Sequence, residues 1–196
     1  MTSGAGFAGR RERVRRAYGE IARAPHGRHP FPVGRRLAEW AGYPEARLSA
    51  VPAGSVEAFA GVSCLPCFAA IPAGAAVLDL GCGAGLDALF MAPQAASVLG
   101  VDFSREMLTR ARGSAEAMGL SNLEFRLGDA EAIPAATGSI DVALVNGIFN
   151  LNPARELIFA ELSRVVRPGG QLFVAELILK GPPPAGGKPG DHDWLA

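Results

Sequence analysis

The chain has 196 residues, 19 basic against 19 acidic side chains, and a hydrophobic share of 49%. A formal net charge of zero gives no whole-molecule attraction to nucleic acid or to an acidic membrane surface, so neither is an expected partner. No apolar window is long enough to span a bilayer and no secretory leader pattern stands at the start, which sets a cytoplasmic expectation; three cysteines are too few and too odd for a disulfide framework.

Residues 1–9 are small and Gly-rich and are expected to fray. From about 10 to 24 the spacing of Val14, Tyr18 and Ile21 predicts a helix, with Arg10, Arg11, Arg13 and Arg16 read as its solvated face. The Pro-punctuated "APHGRHPFP" follows, then a short helix near 33–41, a turn-rich "GYPEARLSAVPAG", and another short helical segment within 55–71. After that the chain alternates. Apolar runs at 76–80, 97–101, 123–127, 140–145 and 171–178 read as strands, and helices are predicted at 86–93, 104–118 and 153–166, the second capped by Ser104. The Pro/Gly-marked stretch 129–138 gives only a weak helical signal. Strands alternating with helices predict an α/β fold, a doubly wound parallel sheet with both faces covered.

The stretch "VLDLGCGAGLD" (77–87) ends an apolar run in an acid and follows it with three alternate glycines. Gly81, Gly83 and Gly85 would let the backbone turn tightly and meet a ligand without side-chain clash, at the strand end where doubly wound sheets bind ligands. A dinucleotide loop wants a glycine where Leu86 stands, and Asp79 would repel a pyrophosphate. Asp102 closes the next strand, where an acid can accept from both ribose hydroxyls. Asp129 follows the third strand, where it can accept from the exocyclic amine of adenine while the Ala130 amide donates to a ring nitrogen. A nucleoside with a cationic amino-acid tail and no phosphate fits this set, and S-adenosylmethionine is such a molecule.

From Val77 to Glu176 the chain resembles class I methyltransferases, in "VLDLGCGAG", "VLGVDFSREML", "LEFRLGDAEAIP", "SIDVALVN" and "LSRVVRPGGQLFVAE". The resemblance implies a Rossmann-like sheet in the order 3-2-1-4-5 and S-adenosylmethionine as cofactor. It implies cofactor contacts from Asp79, Gly81, Cys82, Gly83, Asp102, Phe103, Met107, Asp129, Ala130 and Asn146. A finer likeness, in "VRRAYGEIA", "GYPEARLSAVPAGS", "GLD" after the glycine loop and "VNGIFNLNPARELIFAELSRVVRPGG", is to arsenite methyltransferases. There the Tyr18 position lies on a lid over the cofactor; simple packing of its helix is the alternative. The division expected is 1–70 as an N-terminal helical lid, 71–180 as the cofactor-binding domain and 181–196 as a Pro/Gly-rich tail.

The resemblance also shows departures. The family's cysteine pair after the Tyr-Gly segment is absent, Cys64 matches one family position only roughly, and the family's further strands and last cysteine are not matched after the fifth strand. Cys64 and Cys67 are the candidate catalytic residues, since trivalent arsenic prefers thiolates; their spacing is also that of a redox or half-zinc motif, and buried packing is the competing reading of the pair. No resident metal is expected. The acceptor is read as a small molecule, arsenite or thiol-bound As(III), with a quinone-like ring or a thiol as one alternative and a non-catalytic cofactor-binding protein as another. The exposed edge of the fifth strand predicts a homodimer.

Overall fold

The computed structural model describes residues 4–178. Five parallel strands form one sheet: β1 (Ala76–Leu80), β2 (Ser97–Asp102), β3 (Leu123–Leu127), β4 (Ile140–Asn146) and β5 (Val166–Ala175), in the order β3-β2-β1-β4-β5. The inner strands are apolar on both faces because helices cover both. The two-residue period sends Val77, Val142 and Leu144 to one side, where they pack with Leu89 of α5 (Leu86–Met91) and Leu108 of α6 (Arg105–Ala117). Leu78, Leu80, Ala143 and Val145 face the other side and pack with Ile158 and Leu162 of α7 (Arg155–Val165).

From β1 the chain winds outward to β2 and β3, then returns to lay β4 against the opposite edge of β1. The winding reverses between β1 and β4, which opens a crevice at their carboxyl ends. The N-terminal segment covers it. Its elements are α1 (Gly4–Arg23), α2 (Arg35–Trp40), α3 (Glu45–Ser49), α4 (Ala53–Glu57) and a 3-10 turn at Leu65–Cys67. Ile21 of α1 is fully buried with Ala58, Ala84 and Met107, so α1 rests on α6 and on the glycine loop. Arg110 of α6 ties the arrangement by donating to the carbonyls of Ala22 and, at 3.1 Å, Gly54; Arg23 pairs with Glu106 at 2.6 Å.

Several bounds differ from the sequence expectation. Helix α1 already runs from Gly4. The segment 55–71 yields only the end of α4 and the 3-10 turn, and α3 occupies a stretch read as turn. Residues 129–138 contain no helix. Strand β5 begins at Val166 rather than 171: Val166 pairs with Ile140 and Gln171 with Val142, so the Arg-Pro-Gly-Gly segment is carried as an irregularity inside the strand. The predicted tail lies outside the described residues. None of the described helices is long and apolar enough to cross a membrane.

Candidate functional site

The carboxyl rim of β1, β2, β3 and β4 and the underside of α1 line a cleft that is partly open to solvent. Every residue assigned to cofactor contact from the sequence lines it: Tyr18, Asp79, Gly81, Cys82, Gly83, Asp102, Phe103, Met107, Asp129, Ala130 and Asn146. Two of the loop glycines differ in what holds them. Gly81, at φ +77°, is covered by Ile148, which a Cβ there would strike. Gly83, at φ +52°, has nothing within 4 Å of its Cβ position and presents bare backbone to the cleft.

Two acids are gripped by main chain. Asp79, at the end of β1, accepts from the Ala88 amide (3.0 Å) in the first turn of α5. Asp102, at the end of β2, accepts from the Gly83 amide (2.9 Å) and the Ser104 amide (2.8 Å), so it braces the glycine loop and the start of α6 at once. The expected Ser104 cap is present, accepting from the Met107 amide at 3.3 Å. Burial pushes the Asp102 carboxyl up to about 6 against its backbone donors, and burial with the nearby Asp87 holds Asp79 well above the usual carboxylate range.

Asp129 behaves differently. Its side chain is 42% exposed and pairs with Arg11 of the lid at 2.5 Å and with Arg15 at 3.9 Å. Arg11 also reaches Glu131 at 3.6 Å, and Arg10 donates to the Asn150 carbonyl at 2.7 Å. The reading of Arg10 and Arg11 as merely solvated is therefore corrected: a long side chain on an exposed helix can reach beneath it. Arg11, Val14, Arg15 and Tyr18 follow the i, i+3, i+4, i+7 spacing of one helix face, and all four line the cleft. That spacing is the signal by which the sequence could have assigned both arginines. Tyr18 packs between Phe31 and Phe103, with ring centroids 5.8 and 6.3 Å away.

Asp87 is a site residue the sequence reading passed over. It lies in the first turn of α5, buried, and lines the cleft. It accepts from the Tyr43 hydroxyl and from Asn146 Nδ2 (2.9 Å). Burial pushes its carboxyl up to about 6, with the Tyr43 and Asn146 hydrogen bonds pulling the other way. Asn146 in turn accepts from the amides of Val62 (2.9 Å) and Ser63 (3.3 Å) and donates to the Ser63 carbonyl (2.8 Å), holding the wall loop. The spacing signal was an acid eight residues after Asp79, one turn beyond the glycines.

Cys64 and Cys67 do not line the cleft. Cys64 is buried beside Tyr43, Phe59 and Phe90, and the two sulfurs are joined in a disulfide, against the expectation of reduced cysteines. Bonded to each other they offer no thiolate. Cys82 is free and buried, and burial pushes its thiol up, so it stays protonated beside the loop.

Residues 71–184 match a family described as a methyltransferase domain. The chain belongs to this methyltransferase family. Its fold is that of a class I methyltransferase, whose cofactor is S-adenosylmethionine, and the carboxylate set of the cleft fits that cationic group. The methyltransferase is 38% identical over 120 residues to the arsenite methyltransferase of Halobacterium salinarum, an alignment covering 60% of this chain and 31% of that protein. It is 40% identical over 112 residues to the demethylmenaquinone methyltransferase of Thermus thermophilus, covering 56% of this chain and 49% of the other. Among solved structures, the YcgJ protein of Bacillus subtilis superposes with a TM-score of 0.54 at 29% identity, over 56% of this chain and 47% of that one. The chain thus spans about a third to a half of the length of these curated relatives.

Proposed function

We propose that the protein transfers a methyl group from S-adenosylmethionine to a small molecule, with thiol-bound trivalent arsenic as the acceptor. The observation that carries the cofactor half is the charge of the cleft. Asp79, Asp87 and Asp102 are buried around one loop, and the hydrogen bonds they accept come from backbone amides, a hydroxyl and a carboxamide, all neutral. A ligand carrying a sulfonium and an ammonium supplies the missing positive charge, whereas a pyrophosphate would add to the excess of negative charge.

The bound cofactor supplies a methyl group already activated on a cationic sulfur. The chain's own residues bind and align. Asp102 would accept from the ribose hydroxyls. Asp129 and the Ala130 amide would read the adenine edge, Asp79 and the Gly83 backbone would take the amino-acid end, and Tyr18 with Phe103 would close over the nucleoside. Alignment of this kind contributes roughly 7–11 kcal/mol to a displacement. A soft, electron-rich acceptor needs no general base.

The arsenic reading draws support from the likeness to an arsenite methyltransferase, while the Cys64, Cys67 pair that would hold arsenic lies off the cleft. It requires the pair as thiols: two molecules of a small thiol reduce the disulfide and leave as their own disulfide, freeing both sulfurs for arsenic. The second reading is a small organic acceptor, such as a quinone-like ring. It is favoured by the apolar wall of Phe59, Ile148 and Leu151 and by the cysteines' place off the cleft. Turnover of arsenite with glutathione, in the wild type and in C64S/C67S, separates them. Loss of turnover in the double variant supports arsenic; turnover of a quinone-like ring that survives the change supports the organic acceptor. Cofactor binding with no turnover of either leaves a non-catalytic cofactor-binding protein.

A homodimer through β5 belongs to the same proposal. Among the described residues the strand lies at the sheet edge, with Leu172 and Val174 about two-fifths exposed. Sedimentation showing a monomer at high concentration would refute it.

A further inference from the structure

The nucleoside end and the charged end of the cofactor are assigned to different parts of the rim. Asp102 and Asp129 stand over β2 and β3, so the amino-acid and sulfonium end falls toward the crevice between β1 and β4. Asp87 lies at that crevice, bonded to Asn146 at the end of β4. Its two oxygens are fixed by donors from different segments, Tyr43 between α2 and α3 and Asn146 on β4. The Asn146 amide is consequently oriented: its nitrogen faces Asp87 and the Ser63 carbonyl, and its oxygen faces the Val62 and Ser63 amides.

We propose that Asp87 is a positioning residue for the charged end of the cofactor, its carboxylate selecting the sulfonium form over the neutral thioether that remains after transfer. The inference rests on the cofactor reading above. A carboxylate buried in a crevice of low dielectric acts on a unit charge across several ångström, and it distinguishes two ligands that differ by that charge. Asp79 on β1 faces the same space, but burial and the charge of Asp87 favour its neutral form, so the charge there is carried chiefly by Asp87; Asp102 stands further round the rim and acts on Asp79. Tyr43 and Asn146 are its neutral partners. Arg47 of α3 reaches the same helix only at its far end, on the Phe90 carbonyl (2.9 Å) and ring. No cation therefore answers Asp87 among the contacts described, and a cationic ligand does so on binding.

The test uses Asp87→Asn, which keeps the size and removes the charge; its oxygen can still accept from Asn146, and its NH2 meets the Tyr43 hydroxyl, which can accept while donating to the Ser63 carbonyl (3.2 Å). Calorimetry with S-adenosylmethionine and with S-adenosylhomocysteine, from pH 5.5 to 8, reads the two dissociation constants. The expected result at pH 7.5 is an affinity for the sulfonium about tenfold weaker, with the thioether changed less than about twofold. The wild type's loss of sulfonium affinity toward pH 5.5 should also be shallower in the variant. A merely structural wall role predicts equal weakening of both ligands, and that outcome overturns the proposal. So does an unchanged affinity for both. A wild-type chain that binds neither ligand overturns the cofactor reading itself, and this proposal with it.

Tyr43→Phe gives an independent arm, should the first variant fail to fold. It removes a donor to the ionised carboxylate, so the pH midpoint of sulfonium binding should rise while the preference over the thioether at pH 8 persists. A midpoint that stays put overturns the proposal.

Discussion

Asp102 and Asp129 stand at the ends of adjacent strands, yet they are held by opposite means. Asp102 is 6% exposed and braced by two backbone amides of its own domain, at 2.9 and 2.8 Å. Asp129 is half-buried and is gripped from above by the guanidinium groups of Arg11 and Arg15 on α1. The first is set by loop geometry that the glycines permit, and its acceptor directions are in place without the lid. In the proposed binding mode the second would exchange its partner when a ligand arrives, because the lid's arginine and an adenine amine would compete for one carboxylate. Half of the proposed nucleoside site would thus be preorganised, and half would depend on a helix that has to let go.

The largest expected effect lies on the preorganised side. Asp102→Asn leaves one oxygen to accept and turns an NH2 toward either the Gly83 or the Ser104 amide, so the brace and the ribose acceptor are both damaged. Hydrogen bonds to a charged group are worth about 1.5–3 kcal/mol each, which predicts cofactor affinity roughly a hundredfold weaker by calorimetry. An affinity within a few-fold of wild type would mean that the rim over β2 is no more preorganised than that over β3.

This contrast explains what the sequence displayed and what it concealed. The strands at 76–80 and 123–127 were legible to the residue, the first because a doubly covered parallel strand demands a short apolar run, the second through the alternation of Leu123, Phe125 and Leu127 between turn signals. Asp79 and Asp102 were legible because an acid ending such a run, beside alternate glycines, has few structural reasons to be there. Arg11 was not, since a guanidinium on a four-bond stem looks the same whether it meets water or a carboxylate beneath the helix. Asp87 was hidden by its place in the first turn of α5, where an acid is ordinary for its interaction with the helix N-terminus. The Cys64–Cys67 bond was hidden by counting, because an odd number of thiols gives no framework even when two of them are bonded.

A pH series sharpens the comparison with a moderate effect. Burial raises Asp87 and Asp102 to about 6, and burial with its acidic neighbours holds Asp79 above its ordinary range. Between the ordinary carboxyl value of about 3.9 and about pH 6, the folded chain keeps protons that the unfolded chain has released. Stability of the unliganded protein from these groups is therefore present at the acid side of that window and falls as pH rises through it. Surface acids act oppositely and lower down: Asp141, Glu124 and Glu161, lowered by hydrogen bonds to Arg167, Arg126 and Arg164, contribute stability that is lost as pH falls through their own range. A cationic ligand needs the buried acids ionised, so its affinity rises with pH where the stability of the unliganded chain declines. The melting midpoint should drop by a few degrees from pH 5 to pH 7 without ligand. Cofactor affinity should climb up to about tenfold per pH unit below pH 6. Parallel trends would show that the raised acids do not face the ligand.

The smallest effect tests the borrowed half. Arg11→Ala removes an ion pair that is half in water, so stability should change by no more than about 1 kcal/mol. Its consequence for binding has a definite sign if the guanidinium and the ligand compete for Asp129. The ligand no longer has to displace Arg11, and affinity should tighten by about threefold, in line with the modest strength of an exposed pair. The gain should shrink as salt is added, because salt already weakens the wild-type pair. Looser binding in this variant would mean that Arg11 grips the bound nucleoside together with Asp129. Asp129 would then be as fixed in its role as Asp102, and the two sides of the rim would differ only in where their donors come from.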